Sequence, residues 1–75
     1  MHAYVLIGLM DCDEQLVLDE LQDFPEVEEA HILFGEWDIL IKLKVASPEA
    51  AGTFVMEHIR KLEDVQLTST LIVAK

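Results

Sequence analysis

The first third of the chain combines a continuous apolar run with a segment of helical periodicity. Residues 3–10 are almost entirely apolar and are followed by Asp11, which predicts a short buried strand. Asp11, with Glu14 three residues later, has the spacing of a capping box and predicts a helix start, and Pro25 ends that helix. The segment 13–24 is amphipathic, with apolar side chains at Val17, Leu18, Leu21 and Phe24.

The middle of the chain has the period-two pattern of paired strands. A strand is predicted over residues 27–34, and Gly35 is the turn residue that separates it from the next strand. From Trp37 to Val45 every second residue is apolar, which predicts a strand with one face in the core. Because Trp37 belongs to that apolar set, its indole is predicted to pack in the core.

The second half repeats the sequence of signals seen in the first. Ser47 followed by Pro48 and Glu49 predicts a helix start, with serine as the cap and proline in the first turn. A last strand is predicted over residues 66–74. The predicted buried positions of the second helix are Ala51, Phe54, Val55, His58 and Leu62.

The predicted element order, β-α-β-β-α-β, is an internal repeat with an offset of 38 residues. Two βαβ units with right-handed crossovers give an α+β, ferredoxin-like fold: a four-stranded antiparallel sheet with both helices on one face. Its strand order is 4-1-3-2, and residues 1–75 form one domain. The repeat is clearest where Leu21, Phe24 and Val27 align with Ile59, Leu62 and Val65.

The second face of the predicted sheet has no helix to cover it. Its expected polar positions are Thr68, Thr70, Lys42 and Lys44. An uncovered apolar face of this size favours self-association, so the chain is expected to dimerise through the sheet as a dimeric α+β barrel. The predicted apolar residues of this dimer interface are Ala30, Ile32, Phe34, Leu40 and Ile72.

Charge narrows the range of partners. Fifteen Asp and Glu stand against five Lys and Arg, a net charge of −10, which disfavours direct contact with nucleic acid or anionic lipid. The N-terminal apolar run lacks the basic residues of a signal peptide, and no segment reaches the roughly 20 apolar residues of a membrane span. The single cysteine excludes an internal disulfide. A cytoplasmic protein that binds neither nucleic acid nor membrane is expected.

Residues for catalysis or for cofactor binding do not come together in the sequence. Cys12 has no histidine or asparagine in a motif around it, and no glycine-rich loop suited to phosphate is present. The acidic run 11–14 lacks the glycine and the distant glutamate of a calcium loop. The sequence therefore predicts no enzyme, no cofactor and no metal site. The three histidines are too scattered to have the spacing of metal ligands: they are His2, His31 and His58.

Three segments resemble the C-terminal effector-binding (RAM) domain of the Lrp/AsnC family. Residues 34–43, FGEWDILIKL, are similar to its Gly-x-aromatic-Asp turn and the strand that follows. Residues 24–27 are similar to its L-P-x-V helix exit, and residues 62–73 to its closing strand, with Glu63-Asp64 where Pro-Gly is usual. The resemblance covers essentially the whole chain and includes no helix-turn-helix domain.

The resemblance implies dimers that assemble into rings and bind small molecules, usually amino acids, in clefts between dimers. Asp38 is expected to hold the ligand ammonium, while backbone N–H groups beside Gly35 and threonine hydroxyls hold its carboxylate. A plain hairpin turn and a strand of β-forming threonines remain the alternatives. The implied ligand-contacting residues are Gly35, Glu36, Trp37 and Asp38 in the turn, and Thr68, Ser69 and Thr70 in the last strand.

The function expected from residues and resemblance together is a small-molecule-sensing and oligomerisation module. It would modulate transcription through partner proteins, including full-length Lrp/AsnC regulators, without touching DNA itself. Two alternatives stay open, because one fold serves many functions. The first is a purely structural assembly module; the second is a small dimeric α+β barrel enzyme or an ACT-like regulatory domain.

Overall fold

A four-stranded antiparallel sheet carries both helices on one face in the computed structural model, which describes residues 1–75. The strands follow the order β2-β3-β1-β4, so the first strand lies between the third and the fourth. This confirms the predicted ferredoxin-like architecture and strand order. The strand bounds are β1 (His2–Leu9), β2 (Val27–Ile32), β3 (Ile39–Lys44) and β4 (Val65–Ile72).

The first helix, α1 (Glu14–Gln22), is capped later than the sequence pattern suggested. Its N-cap is Asp13, whose Oδ1 accepts a hydrogen bond from the backbone N–H of Gln15 at 3.0 Å. The predicted cap at Asp11 is therefore wrong, since residues 11 and 12 form a bend before the helix. The helix ends just ahead of Phe24 and Pro25, as the proline requires.

The second helix, α2 (Pro48–Phe54), starts as predicted, because Ser47 Oγ accepts from the Ala50 N–H at 3.1 Å. It continues as one π-helical turn, Val55–Ile59, closed by a 2.8 Å bond from the Arg60 N–H to the Val55 carbonyl.

The wider turn changes which side chain reaches the core. It moves the buried position one residue on, so Ile59 is fully buried and His58 is exposed, contrary to the prediction for His58. The His58 ring instead packs beside Phe24 and Phe54, with ring centroids 5.3 and 5.1 Å away.

Side chains from β1, β3 and both helices meet in one hydrophobic core. Burying an isoleucine, leucine or valine side chain stabilises a fold by about 1.5–3 kcal/mol, so this cluster fixes which face of the sheet the helices cover. The largest fully buried side chains are Val5, Ile7, Leu21, Ile39, Ile41, Leu43 and Ile59.

Two β-bulges decide which residues of the edge strands face the core. Val27 pairs with Leu43 but Glu29 pairs with Lys42, so Glu28 is an extra residue in β2. In β4 the pairing with β1 jumps from Val65 to Leu67, which makes Gln66 the extra residue there. The two bulges lie 38 residues apart, so the internal repeat extends to them. After each bulge, the remaining residues of the same strand point to the opposite sides of the sheet from those that regular alternation would give.

The first bulge overturns the predicted orientation of β2. Ala30 lies opposite Ile41 and Ile32 opposite Ile39, which places both on the helix side of the sheet. The prediction that both lie on the open face is wrong, because regular alternation along β2 takes no account of the bulge. Phe34 lies beyond the end of β2, in the loop, with its side chain fully exposed.

The second bulge has the same effect on β4. Thr68, Thr70 and Ile72 pair with buried residues of β1 and so lie on the helix side, although they were predicted on the open face. Leu40, opposite Leu6, does lie on the open face as predicted. The apolar and aromatic members of the open face are Tyr4, Leu6, Leu40, Leu67 and Leu71, and its charged residues and histidines are His2, Glu28, Glu29, His31, Lys42 and Lys44.

Two glycines provide a matched test of this backbone. Gly35 has φ +140°, a conformation that L side chains rarely adopt, whereas Gly52 lies in α2; a methyl group would meet nothing within 4 Å at either position. We expect Gly35→Ala to lower the free energy of unfolding by about 1–3 kcal/mol. Gly52→Ala should raise it by about 0.5–1 kcal/mol. Urea unfolding at one protein concentration measures both, and equal effects would contradict the assigned backbone conformations.

Candidate functional site

The loop between β2 and β3 is tied to the end of β1. Its two ends are joined by a 2.8 Å bond from the Leu33 N–H to the Asp38 carbonyl, and the positive φ of Gly35 turns the chain between them. The Asp38 N–H then donates to the Ile7 carbonyl at 3.0 Å. The second of these bonds holds residues 35–38, the ligand-contacting turn implied by the family resemblance, against the central strand.

The Asp38 carboxylate has a structural partner. Its Oδ2 accepts a 2.7 Å hydrogen bond from the Leu9 backbone N–H, at a half-buried position just beyond the last residue of β1 that pairs with β3. The carboxylate thus replaces a carbonyl where the strand ladder ends. Its second oxygen, Oδ1, makes no hydrogen bond within the subunit. Asp38 therefore supports the turn and keeps one oxygen available, and its predicted contact with a ligand stays a prediction.

Trp37 packs on the open face and not in the core. A methyl group on Gly8 would lie 3.8 Å from Trp37 Cε3 and 3.5 Å from Leu67 Cβ, so the indole covers the glycine beside that leucine. The predicted core position is wrong because β3 begins only at Ile39, and the alternation of β3 does not extend back to Trp37. Trp37 and Asp38 are thereby anchored to adjacent residues of β1.

The three hydroxyl residues of β4 do not share one face. Ser69 pairs with Leu6 and lies on the open face, while Thr68 and Thr70 lie opposite Ile7 and Val5 on the helix side. Since β1 separates β3 from β4, the turn and these hydroxyls are not neighbours within the sheet. The seven predicted ligand residues therefore do not form one common site within a single subunit.

The one cavity of the subunit lies elsewhere. It is an open groove of about 390 Å³ along the outer edge of β2, beside the C-terminal end of α1. None of the seven predicted ligand residues lines it, and Glu36 at the turn is exposed. The groove is lined by Gln22, Val27, Glu28, Glu29, Ala30 and His31.

Ion pairs occupy the β1–β2–β3 side of the open face. Glu29 lies 3.4 Å from His31 Nε2 and 3.5 Å from Lys42 Nζ, and Glu28 lies 3.1 Å from His2 Nε2. Hydrogen bonds from His31 and then Lys42 lower the pKa of the Glu29 carboxyl. Because the pKa of Glu29 is lower in the folded than in the unfolded chain, its ionised form stabilises the fold at pH values above the unfolded-state pKa. This stabilisation is lost as the pH falls through the folded-state pKa. Because the Glu29 and His31 side chains are largely exposed, the contribution is small.

The chemistry of Cys12 does not favour a nucleophile. Partial burial, followed by the nearby carboxylates of Asp64 and Glu14, raises the pKa of its thiol, which keeps it protonated. No three His, Cys, Asp or Glu side chains are grouped so as to hold a metal ion. Neither helix is long and apolar enough to cross a bilayer.

The fold, the aromatic-Asp turn and the closing strand define a class of regulatory ligand-binding domain. The sequence profile of the Lrp/AsnC ligand binding domain matches residues 2–75, so the chain belongs to this family. A helix-turn-helix-type transcriptional regulator of Pyrococcus furiosus, itself uncharacterized, is 39% identical over 74 residues. That match takes in 93% of this chain and 49% of the regulator, so the chain spans about half the length of this relative.

Solved structures agree with the family assignment. The crystal structure of FFRP-DM1 superposes with a TM-score of 0.89 at 33% identity, covering 96% of both chains. AsnC of E. coli gives a TM-score of 0.90 at 29% identity, over 99% of this chain and 50% of that one. The fold is also that of a Neisseria meningitidis regulator crystallised with L-Met, at TM-score 0.86, 21% identity and 99% and 49% coverage.

Proposed function

We propose that this domain binds an amino acid at the Gly35–Asp38 turn and couples that binding to self-association, and so modulates transcription through partner regulators. The observation that carries the proposal is the turn itself. It is fixed to β1 by the backbone bond from the Asp38 N–H to Ile7 and by the bond from the Leu9 N–H to the Asp38 side chain, and it presents the Trp37 ring together with one free Asp38 oxygen. The L-Met complex of the Neisseria regulator, which has the same fold, supports an amino acid as the ligand class.

The ligand site is completed by a second subunit. The turn lies on an open surface, and Thr68 and Thr70 face away from it within one subunit. An amino acid would place its ammonium at Asp38 Oδ1 and its carboxylate on backbone N–H groups beside Gly35. Hydroxyls of β4 from a neighbouring copy would supply the remaining donors. This arrangement makes ligand affinity depend on assembly.

The open face is the surface through which two copies pair. It carries two Glu and two Lys, a net charge of zero, whereas the rest of the chain has thirteen acidic and three basic residues. Tyr4, Leu6 and Leu40 form its centre, with Leu67 (61% exposed) and Leu71 (51% exposed) beside them on β4. Removing water from this charge-balanced apolar face costs less free energy than removing it from the acidic remainder of the surface. Rings would then form by contact between such dimers.

Direct binding to DNA is not part of the proposed function. With five Lys and Arg in 75 residues, two of them on the open face, the domain has too few cations to drive counterion release. We expect this 75-residue chain alone to give no gel shift at roughly physiological salt. A shift that weakens as salt rises would contradict this expectation. Regulation in the cytoplasm would then pass through a regulator that has its own DNA-binding domain.

A thermal-shift screen of the twenty amino acids, with light-scattering mass measured in parallel, tests the proposal. A ligand at 100 times its dissociation constant adds about 2.7 kcal/mol of stability, which raises the Tm of a domain this small by roughly 10–20 °C. A dimer or larger assembly with no response to any amino acid would refute the ligand role. That result would favour the structural module, which the use of Asp38 Oδ2 by Leu9 also suits.

A further inference from the structure

Two of the three histidines lie on the open face, and each pairs with a glutamate of β2. His2 Nε2 is 3.1 Å from Glu28 Oε1, and His31 Nε2 is 3.4 Å from Glu29 Oε1. Their side chains are 39% and 57% exposed in the subunit. His58, the third histidine, packs against Phe24 and Phe54 on the helix side and is outside this surface.

The groups around each imidazole come from β1, β2 and β3. His2 on β1 lies opposite Lys44 of β3 and faces Glu28 of β2, with the N-terminal ammonium one residue away. His31 on β2 lies opposite Leu40, with Glu29 beside it on its own strand.

Lys42 of β3 and Tyr4 of β1 complete the charged and titratable set. Lys42 pairs with Glu29, and Tyr4 lies opposite Lys42. β4, Val65–Ile72, contributes no titratable side chain to this face. The histidines are therefore the groups of the face that can change charge near neutral pH.

Charge counting on this face shows the consequence of protonation. With neutral imidazoles, Glu28 and Glu29 balance Lys42 and Lys44, and the side chains of the face carry no net charge. Protonating both imidazoles adds two positive charges to each face, and four to a pair of faces in contact. In the free subunit these charges stay solvated beside their glutamates. Between two packed faces they would be desolvated and close to like charges, which is costly.

We propose that the face-to-face dimer is proton-sensitive: protonation of His2 and His31 weakens it, so the open face works as a pH-responsive interface between two copies of this chain. The inference rests on the proposed sheet dimer. Because the separated faces bind protons more readily than the packed faces do, dissociation takes up protons. Linkage then requires the dissociation constant of the dimer to rise as the pH falls.

Sedimentation equilibrium at pH 7.5 and pH 5.5 tests this in about 0.3 M salt, where the Debye length is roughly 5–6 Å and repulsion between the acidic exteriors is screened. We expect the dimer dissociation constant to be at least about tenfold larger at pH 5.5. The fluorescence of Trp37, the single tryptophan, provides a second signal, because its ring lies on the same face.

Matched variants separate this effect from a general response to acid. The double variant His2→Gln/His31→Gln should remain dimeric and lose most of the pH dependence, while His58→Gln should keep all of it. Circular dichroism checks that each variant is folded. A dimer that tightens or does not change at pH 5.5, or one that loosens equally in the double variant, overturns the inference and leaves the sheet dimer standing. A monomer at both pH values refutes the sheet dimer itself.

Discussion

Asp38→Asn is expected to keep the fold and to weaken ligand binding by roughly 10- to 100-fold. The asparagine side-chain oxygen can still accept the hydrogen bond that Asp38 Oδ2 receives from the Leu9 N–H at 2.7 Å. What disappears is the negative charge that we propose to face the ligand ammonium, and a charge-assisted hydrogen bond is worth about 1.5–3 kcal/mol. Calorimetry with the amino acid found in the screen measures the loss.

Two comparisons make the Asp38 result specific. Asp38→Ala removes the acceptor of Leu9 as well, so it should also lower the free energy of unfolding by about 1–3 kcal/mol. Glu36→Gln removes an equal charge from the same turn at an exposed position and should change affinity by much less. If Asp38→Asn binds as tightly as the wild type in an intact oligomer, Asp38 is a turn-forming residue only.

Leu67→Asp is expected to convert the assembly to the 8.5 kDa monomer at micromolar concentration. Leu67 is 61% exposed within the subunit, so the change costs little in the isolated fold. In the proposed dimer the new carboxylate would be buried without a partner, which costs about 3–5 kcal/mol and raises the dissociation constant by at least about 100-fold. Light-scattering mass over a dilution series measures the shift.

Leu16→Asp is the matched control for the dimer interface. Leu16 is also 61% exposed, but it lies on α1, on the opposite side of the molecule from the open face. The same substitution there should leave the oligomer mass unchanged. If Leu16→Asp dissociates the protein and Leu67→Asp does not, the helix layer and not the open face is the contact surface.

The sequence was sufficient for the elements whose signals are local. Ser47 and Pro48 specify the start of α2 because capping depends only on neighbouring residues, and the structure has that cap. Continuous and alternating apolar runs located β1 and β3, where Val5, Ile7 and Ile41 are fully buried. The 38-residue repeat and the handedness of βαβ crossovers then determined the topology.

The candidate site was only partly predictable. The turn and its Asp38 could be located from the resemblance, and Gly35 from the need for a positive φ. The bond from the Leu9 N–H to Asp38 could not, because it joins residues 29 positions apart whose proximity exists only after β1 and β3 pair. Trp37 was misplaced because the alternation of β3 begins only at Ile39, and the Gly8 that the indole covers lies on another strand.

Patterns along the chain were enough to predict the element order, the family and the acidic character of the domain. The side of the sheet that each residue of β2 and β4 faces was set by pairing between strands. No particular residue type marks the bulges at Glu28 and Gln66. Each bulge exists because one strand has one residue more than the strand with which it pairs. Such a mismatch is a property of the pair, so periodicity within one strand cannot reveal it. One extra residue is enough to move Ala30 and Thr68 to the opposite face.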